Sequence, residues 1–169
     1  AELATRYGSN FSIVSVPGSR GLEWECVQNC TELHALARKN NYRKLLCFCN
    51  RRQSVEQLTA ALAPLWRPYP VMAHHGSLSR AQRESAEQTM KAGSAAVCVS
   101  TSTLEIGIDI GDIDLVVLAE PPLDIASLLQ RLGRGNRRRD GIRAAALVPD
   151  PAERQHMEVL FGLAASGFL

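Results

Sequence analysis

The chain has 169 residues, of which 46% are hydrophobic and 21% charged, a balance typical of one globular domain rather than a disordered or fibrous chain. Its formal net charge of +2 is too small to identify a nucleic-acid partner, so any basic surface must be local, and residues 131–143 are the candidate. No apolar run approaches the roughly 20 residues that span a bilayer, so we expect no membrane partner. Because the chain begins with Ala rather than Met, we expect an excised fragment of a longer protein.

Apolar runs and helical spacings alternate along the chain. The runs predict strands at residues 11–16, 23–27, 44–49, 71–74, 95–100, 115–118 and 142–148. The helical spacings predict helices at residues 31–40, 54–65, 79–91, 124–132 and 153–169. This alternation indicates an α/β fold with a parallel sheet flanked by helices. We assign residues 1–30 to an N-terminal linker with edge strands, 31–150 to the main domain and 151–169 to its closing helix.

Short polar side chains stand where several of these helices begin. Thr31 and Asp124 are candidate N-caps of their helices. Ser79 is followed three residues later by Gln82, the spacing of a capping box. The same helix is expected to end at Gly93.

The five cysteines are odd in number, and their spacing fits no zinc framework. Cys47 and Cys49 alternate with Phe48 in a predicted strand, so their side chains share one face of the sheet. We expect buried, reduced thiols rather than disulfides, which favours a cytoplasmic setting.

The segment TSTLEIGIDIG, residues 101–111, directly follows a predicted strand. Hydroxyl side chains and backbone N–H groups at the carboxyl end of such a strand can bind phosphate. Gly107 and Gly111 bracket Asp109, which allows a tight backbone path with the carboxylate projecting from it. The alternative is that these are ordinary turn residues.

The segment QRLGRGNRR, residues 130–138, has helical spacing. On a helix Arg134 and Arg137 would share a face, and Gly133 and Gly135 would let a ligand approach the backbone. Paired guanidinium groups match the geometry of phosphate oxygens. The alternative is a solvated basic helix face.

Together the two segments resemble motifs V and VI of superfamily 2 helicases, in the C-terminal RecA-like motor domain of the DEAD/DEAH-type group, and most of all its large-helicase-related (Lhr-like) branch. The resemblance covers residues 44–148. It implies that Arg134 and Arg137 face the γ-phosphate of ATP and that Gln130, Arg131, Gly107 and Asp109 lie near the nucleotide. It also implies that Thr101 contacts a nucleic-acid phosphate. The pair Gly135-Asn136 departs from the usual small residue and glycine of motif VI.

Two further segments are similar to the same family. LLCFCNRRQSVEQL resembles motif IV and implies that Asn50 and Arg51 approach the nucleic-acid backbone. HHGSLSRAQRE resembles the family's histidine-glycine turn, which implies a nucleic-acid contact at His75 and Gly76. Neither His74 nor His75 is expected to bind a metal, and the sequence around them indicates no carboxylate partner for general-base chemistry.

The chain contains no GxxxxGK[ST] phosphate loop and no magnesium-holding acidic run after a strand. The resemblance therefore implies half of a motor: an upstream RecA-like domain of the same protein would hold ATP and Mg²⁺, and this part alone would be inactive. DNA or RNA, single-stranded or duplex, is the expected partner, and DNA repair an expected role. The low aromatic content, 5%, argues against a base-stacking platform. The alternatives are a non-motor nucleic-acid-binding module and, less favoured, a small-molecule α/β enzyme.

Overall fold

A computed structural model describes residues 21–104, 110–135 and 141–165. Its centre is a sheet of six parallel strands in the spatial order β1-β6-β5-β2-β4-β3. The strands are β1 Gly21–Val27, β2 Lys44–Phe48, β3 Val71–His74, β4 Ala96–Ser100, β5 Leu115–Leu118 and β6 Gly141–Leu147. The helices are α1 Cys30–Lys39, α2 Arg52–Leu62, α3 Arg80–Ala92, α4 Ile125–Leu132 and α5 Pro151–Ala165. The predicted α/β fold is confirmed.

The two faces of the sheet are covered by different helices. Leu33 of α1 and Val55 of α2 pack in one cluster, with Cys47 of the central strand β2. Met90 of α3, and residues of α4 and α5, pack in a second cluster with Phe48, the next residue of β2. Strands covered on both faces are apolar throughout, which is why the central runs of the sequence do not alternate with polar residues. None of the described helices has the length and apolar character needed to cross a membrane.

Two predicted helix starts are wrong. The N-cap of α1 is Asn29 rather than Thr31, because its side chain accepts the backbone N–H of Glu32 at 2.9 Å. α2 begins at Arg52, two residues before Ser54, whose hydroxyl is bonded elsewhere in the fold. The predicted capping box of Ser79 and Gln82 is confirmed, as is the predicted end of the same helix, α3, at Gly93. The predicted N-cap of α4, Asp124, is also confirmed.

The predicted end of the helix before the arginine segment is confirmed, but the expectation that Arg134 lies on a helical face is wrong. α4 ends at Leu132, and Gly133 is its C-cap. Beyond it, the backbone N–H of Arg134 bonds to the carbonyl of Arg131 at 3.1 Å, so Arg134 lies in a turn. The predicted strand at 11–16, the helix end at 166–169, and Arg137 lie outside the described residues.

Candidate functional site

The segments that resemble helicase motifs meet at the carboxyl edge of the sheet, because all six strands run in the same direction. The β2, β3 and β4 ends are hydrogen bonded to one another: Cys49 N–H donates to the Ser100 carbonyl at 2.9 Å, and Thr101 N–H to the His74 carbonyl at 3.2 Å. Asn50, which follows Cys49, and Thr101 are both half-exposed at this edge. A ligand lying across the edge can therefore contact several strand ends at once.

Asn50 joins three parts of this edge. Its side-chain N–H donates to the Pro121 carbonyl at 2.8 Å, and its side-chain oxygen accepts from Arg131 Nη2 at 3.0 Å. Its backbone N–H donates to the Glu120 carboxylate, which also accepts the Ser54 hydroxyl at 2.6 Å. Both ends of the amide are thus engaged within the chain, and a nucleic-acid contact at Asn50 stays a prediction.

The arginine segment is packed against the sheet rather than held out into solvent. Arg131 and Arg134 are only 3% and 8% exposed. The guanidinium carbon of Arg131 lies 5.4 Å from the centre of the Phe48 ring, within the range of a cation–π contact. A Cβ atom at Gly135 would lie 3.1 Å from Val116 Cγ2, so glycine allows the turn after α4 to lie close to the sheet. Gln130, by contrast, is exposed.

The histidines at the end of β3, His74 and His75, both have carboxylate partners, and the contrary expectation is wrong. His74, 1% exposed, bonds to Glu87 of α3 through Nε2 at 2.8 Å and to Thr103 through Nδ1 at 2.9 Å. His75, 5% exposed, bonds to Glu56 of α2 through Nε2 at 2.7 Å. The two rings lie on opposite faces of the sheet. A nucleic-acid contact at His75 stays a prediction, and among the described residues no cluster of three His, Cys, Asp or Glu side chains could hold a metal ion.

Some of the remaining predicted site residues are described by the structure and others are not. Gly76 and Arg51 are exposed at the carboxyl edge, where Arg52 donates to the Ser77 hydroxyl at 3.3 Å and links the two turns. Gly111, at the end of the motif V segment, has a φ of +79°, a conformation that favours glycine. Gly107, Asp109 and Arg137 lie outside the described residues.

Burial and hydrogen bonding shift the pKa values of two groups at this edge. Burial raises the pKa of the Cys49 thiol to about 12; the nearby Glu120 carboxylate adds to this rise and the Arg131 guanidinium opposes it. Asp124, at the start of α4, has a lowered pKa because its carboxylate accepts the backbone N–H of Ser127. It is thus favoured in the charged form that caps the helix.

Sequence reasoning missed Glu120, Ser54, Glu56 and Glu87. Their partners lie between 13 and 70 positions away in the chain, so no local pattern indicates the contacts. The one available signal was an acidic residue two positions after the buried strand β5, where polar groups of a parallel sheet collect.

The family of the chain follows from its match to known proteins. The model of the helicase conserved C-terminal domain matches residues 25–139, which include the segments that resemble motifs IV, V and VI. The chain belongs to this family. Within it, the chain is the C-terminal domain of a superfamily 2 helicase of the Lhr-like branch.

Helicases from bacteria and archaea are similar in sequence to this chain. The Lhr helicase/uracil glycosylase of Escherichia coli is 33% identical over 138 residues, 82% of this chain and 9% of that protein. The ATP-dependent helicase Lhr-Core of Saccharolobus solfataricus is 38% identical over 130 residues, 73% of this chain and 15% of that protein. This helicase domain therefore spans only a small part of the length of these curated relatives.

Solved structures of helicases share the fold. The Mycobacterium smegmatis helicase Lhr, bound to ssDNA and AMP-PNP, matches with a TM-score of 0.72 and 26% identity over 89% of this chain and 22% of that one. The E. coli DEAD-box protein SrmB matches with a TM-score of 0.67 and 20% identity over 89% of this chain and 85% of that one. The predicted RecA-like fold of the helicase C-terminal domain is confirmed.

Proposed function

We propose that this chain is the second motor domain of an ATP-dependent nucleic-acid helicase or translocase. ATP would bind in the cleft between it and an upstream RecA-like domain of the same protein. That upstream domain would supply the phosphate loop and the carboxylates for Mg²⁺, since the described part of this chain offers no metal-ligand cluster. This chain would add Arg134 and Arg137 from across the cleft.

The observation that carries the proposal is the bond between Arg131 and Asn50. It ties the arginine segment to the carboxyl edge of the sheet, where ligands of parallel α/β folds bind. Arg134 follows within one turn and is largely covered by its own domain. A guanidinium held in this way loses little conformational freedom when it meets a phosphate, which is what a group that stabilises developing charge requires.

The same edge supports a nucleic-acid role. Thr101, Gly76 and Arg51 are exposed or half-exposed there, at the ends of three neighbouring strands. Their hydroxyl, backbone N–H and guanidinium groups suit phosphate oxygens and read no base sequence. We infer that a strand binds by its backbone and that ATP binding and hydrolysis change how tightly the two domains hold it. The ssDNA bound to the M. smegmatis relative supports this inference.

Turnover of ATP by the intact protein tests the proposal. We expect single-stranded DNA or RNA to stimulate turnover and Arg134→Ala to lower kcat by several decades, the range of a phosphoryl-transfer arginine, with far less effect on nucleotide affinity. Arg80→Ala is the matched control, because Arg80 is 85% exposed on α3 and pairs with Glu84. Equal losses of nucleotide affinity and rate would contradict the arginine role. Strand binding without any turnover would indicate a non-motor binding module instead.

A further inference from the structure

A cavity of about 480 Å³ lies at the opposite, amino edge of the sheet. It is lined by residues that precede β2, β3 and β4 and by residues at the carboxyl ends of α1 and α2. The five residues of β2 separate the two edges by about 17 Å, at roughly 3.3 Å per residue. The cavity is therefore distinct from the candidate motor site.

The charge of this cavity is unbalanced. Arg38, Arg43 and Arg67 line it, all three are exposed, and no carboxylate of the described residues joins them in the lining. Throughout the described ranges none of the three forms an ion pair. A cavity of this volume is roughly 10 Å across, close to the Debye length of about 8 Å at physiological ionic strength, so the three charges raise one another's energy. An anion inside would relieve this repulsion.

Helix ends do not account for the arginines. Cationic side chains often collect at helix carboxyl ends, where they bind free carbonyl groups. Here backbone N–H groups already donate to those carbonyls. The Tyr42 N–H donates to the Ala37 carbonyl of α1 at 2.8 Å, and the Trp66 N–H donates to the Leu62 carbonyl of α2 at 3.2 Å. The Asp114 carboxylate is engaged as well, by the backbone N–H groups of Arg43 and Lys44. Apart from Arg43 Nε, which donates to the Asn41 side-chain oxygen at 3.4 Å, the guanidinium groups remain available to a ligand.

Aromatic side chains share the same cavity. Two of the three tyrosines of the chain and one of its two tryptophans line it. Tyr69 is 47% exposed and Tyr42 is half-buried, whereas Trp66 is buried and packs edge-on against His34 with ring centres 4.8 Å apart. Three of the nine aromatic residues of the chain therefore lie at this cavity. Aromatic faces beside guanidinium groups favour a ligand that carries both a planar ring and a phosphate.

We propose that this cavity is a second nucleic-acid contact that holds one nucleotide of a strand. The arginines would bind its phosphate, and Tyr69 would stack on its base. The volume suits a ligand of this size. A free nucleoside phosphate has the same chemistry, and the experiment separates the two sources. The proposal does not depend on the arginine role of Arg134, because the two sites lie on opposite edges of the sheet.

Photo-crosslinking of the intact protein to oligothymidylate containing 4-thiothymidine tests this site. Peptide mapping is expected to show a crosslink at Tyr69 or Tyr42, which Arg43→Gln/Arg67→Gln abolishes. The same double variant is expected to reduce the slope of log affinity against log salt by about 0.7, since the contact to one phosphate of a single strand is removed. The control, Arg80→Gln/Arg154→Gln, removes the same charge from α3 and α5 and should change neither result.

Competition then identifies the source of the nucleotide. Protection of Tyr69 by unlabelled oligothymidylate but not by thymidine monophosphate supports a strand, and protection by both supports a free nucleotide in the same site. Absence of any crosslink at the cavity, or equal effects of the two double variants, would overturn the proposal. A crosslink that unlabelled oligothymidylate does not displace would be non-specific and would overturn the proposal as well. ATP turnover that still depends on Arg134 would show that the proposed motor function survives such a failure.

Discussion

At the scale of single residues, Asn50 matters because it holds a buried guanidinium. Its amide joins the turn after β5 to Arg131, and Arg131 directly precedes the turn that carries Arg134. The resemblance to motif IV gave Asn50 a different role, as a contact to nucleic acid. The two roles are separable, since one acts through the arginine segment and the other through the strand.

We predict that Asn50→Ala lowers the kcat of ATP turnover at saturating strand, with little change in strand affinity. Loss of a hydrogen bond to a buried charged group should also lower the free energy of unfolding by about 1.5–3 kcal/mol. Steady-state kinetics and urea denaturation of the intact protein measure both effects. Asn40→Ala is the control, because its amide bonds only to the Leu36 carbonyl at the end of α1.

The opposite pattern would support the motif IV role. If strand affinity falls and kcat at saturating strand is unchanged, Asn50 contacts nucleic acid rather than positioning Arg131. A drop in stability without either kinetic effect would leave Asn50 with a structural role only.

At the scale of elements, α3 carries Glu87 to the buried ring of His74, and its start is fixed by the Ser79–Gln82 capping box. We predict that Ser79→Ala lowers the free energy of unfolding by about 1 kcal/mol, the usual effect of removing a serine N-cap. Thermal denaturation of the intact protein checks this. Ser85→Ala, an exposed site inside the same helix, should be neutral or slightly stabilising, because alanine has the higher helix propensity.

Local chemistry explains which elements the sequence predicts well. The box at Ser79 and the cap at Asp124 are complete within four residues, so the sequence contains the whole motif. The end of α4 at Leu132 was also predicted, but the path of the chain beyond it was not. The arginine spacing suggested a shared helical face for Arg134 and Arg137, and only the fold shows that the chain turns after Gly133, with Gly135 lying against Val116 and Ile142.

At the scale of the whole molecule, the site depends on contacts between distant parts of the chain. Glu120 meets Asn50 and Ser54 across 70 and 66 positions, and the amino-edge cavity brings Arg38, Arg43 and Arg67 together. The parallel topology brings these residues together, because strand ends from distant parts of the chain lie at the same edge of the sheet. Motifs within a single segment could therefore be predicted, whereas the residues that join segments could not.

The sheet also determines the chemistry of the thiols. Cys47 and Cys98 are central in neighbouring strands, and all five cysteines are free, as predicted. Burial raises the pKa of Cys98 to about 12, with the Glu87 carboxylate adding to the rise, and Cys49 reaches about 12 as well. At pH 8 a thiol with this pKa is ionised in about one molecule in ten thousand, and only the thiolate reacts. Reaction at these positions therefore requires unfolding.

We predict that iodoacetamide at pH 8 labels Cys26 and Cys30, which are half-buried, while Cys49 and Cys98 react only with the rate of global unfolding. Because their folded pKa is raised above the ordinary value of 9.0, these thiols stabilise the fold fully below about pH 9 and progressively less as the pH rises towards 12. The urea midpoint should fall between pH 8 and pH 10.5, and less so in Cys98→Ala than in Cys26→Ala. Fast labelling of Cys49 and Cys98 in the native protein, with a pH-independent midpoint, would contradict the buried sheet centre.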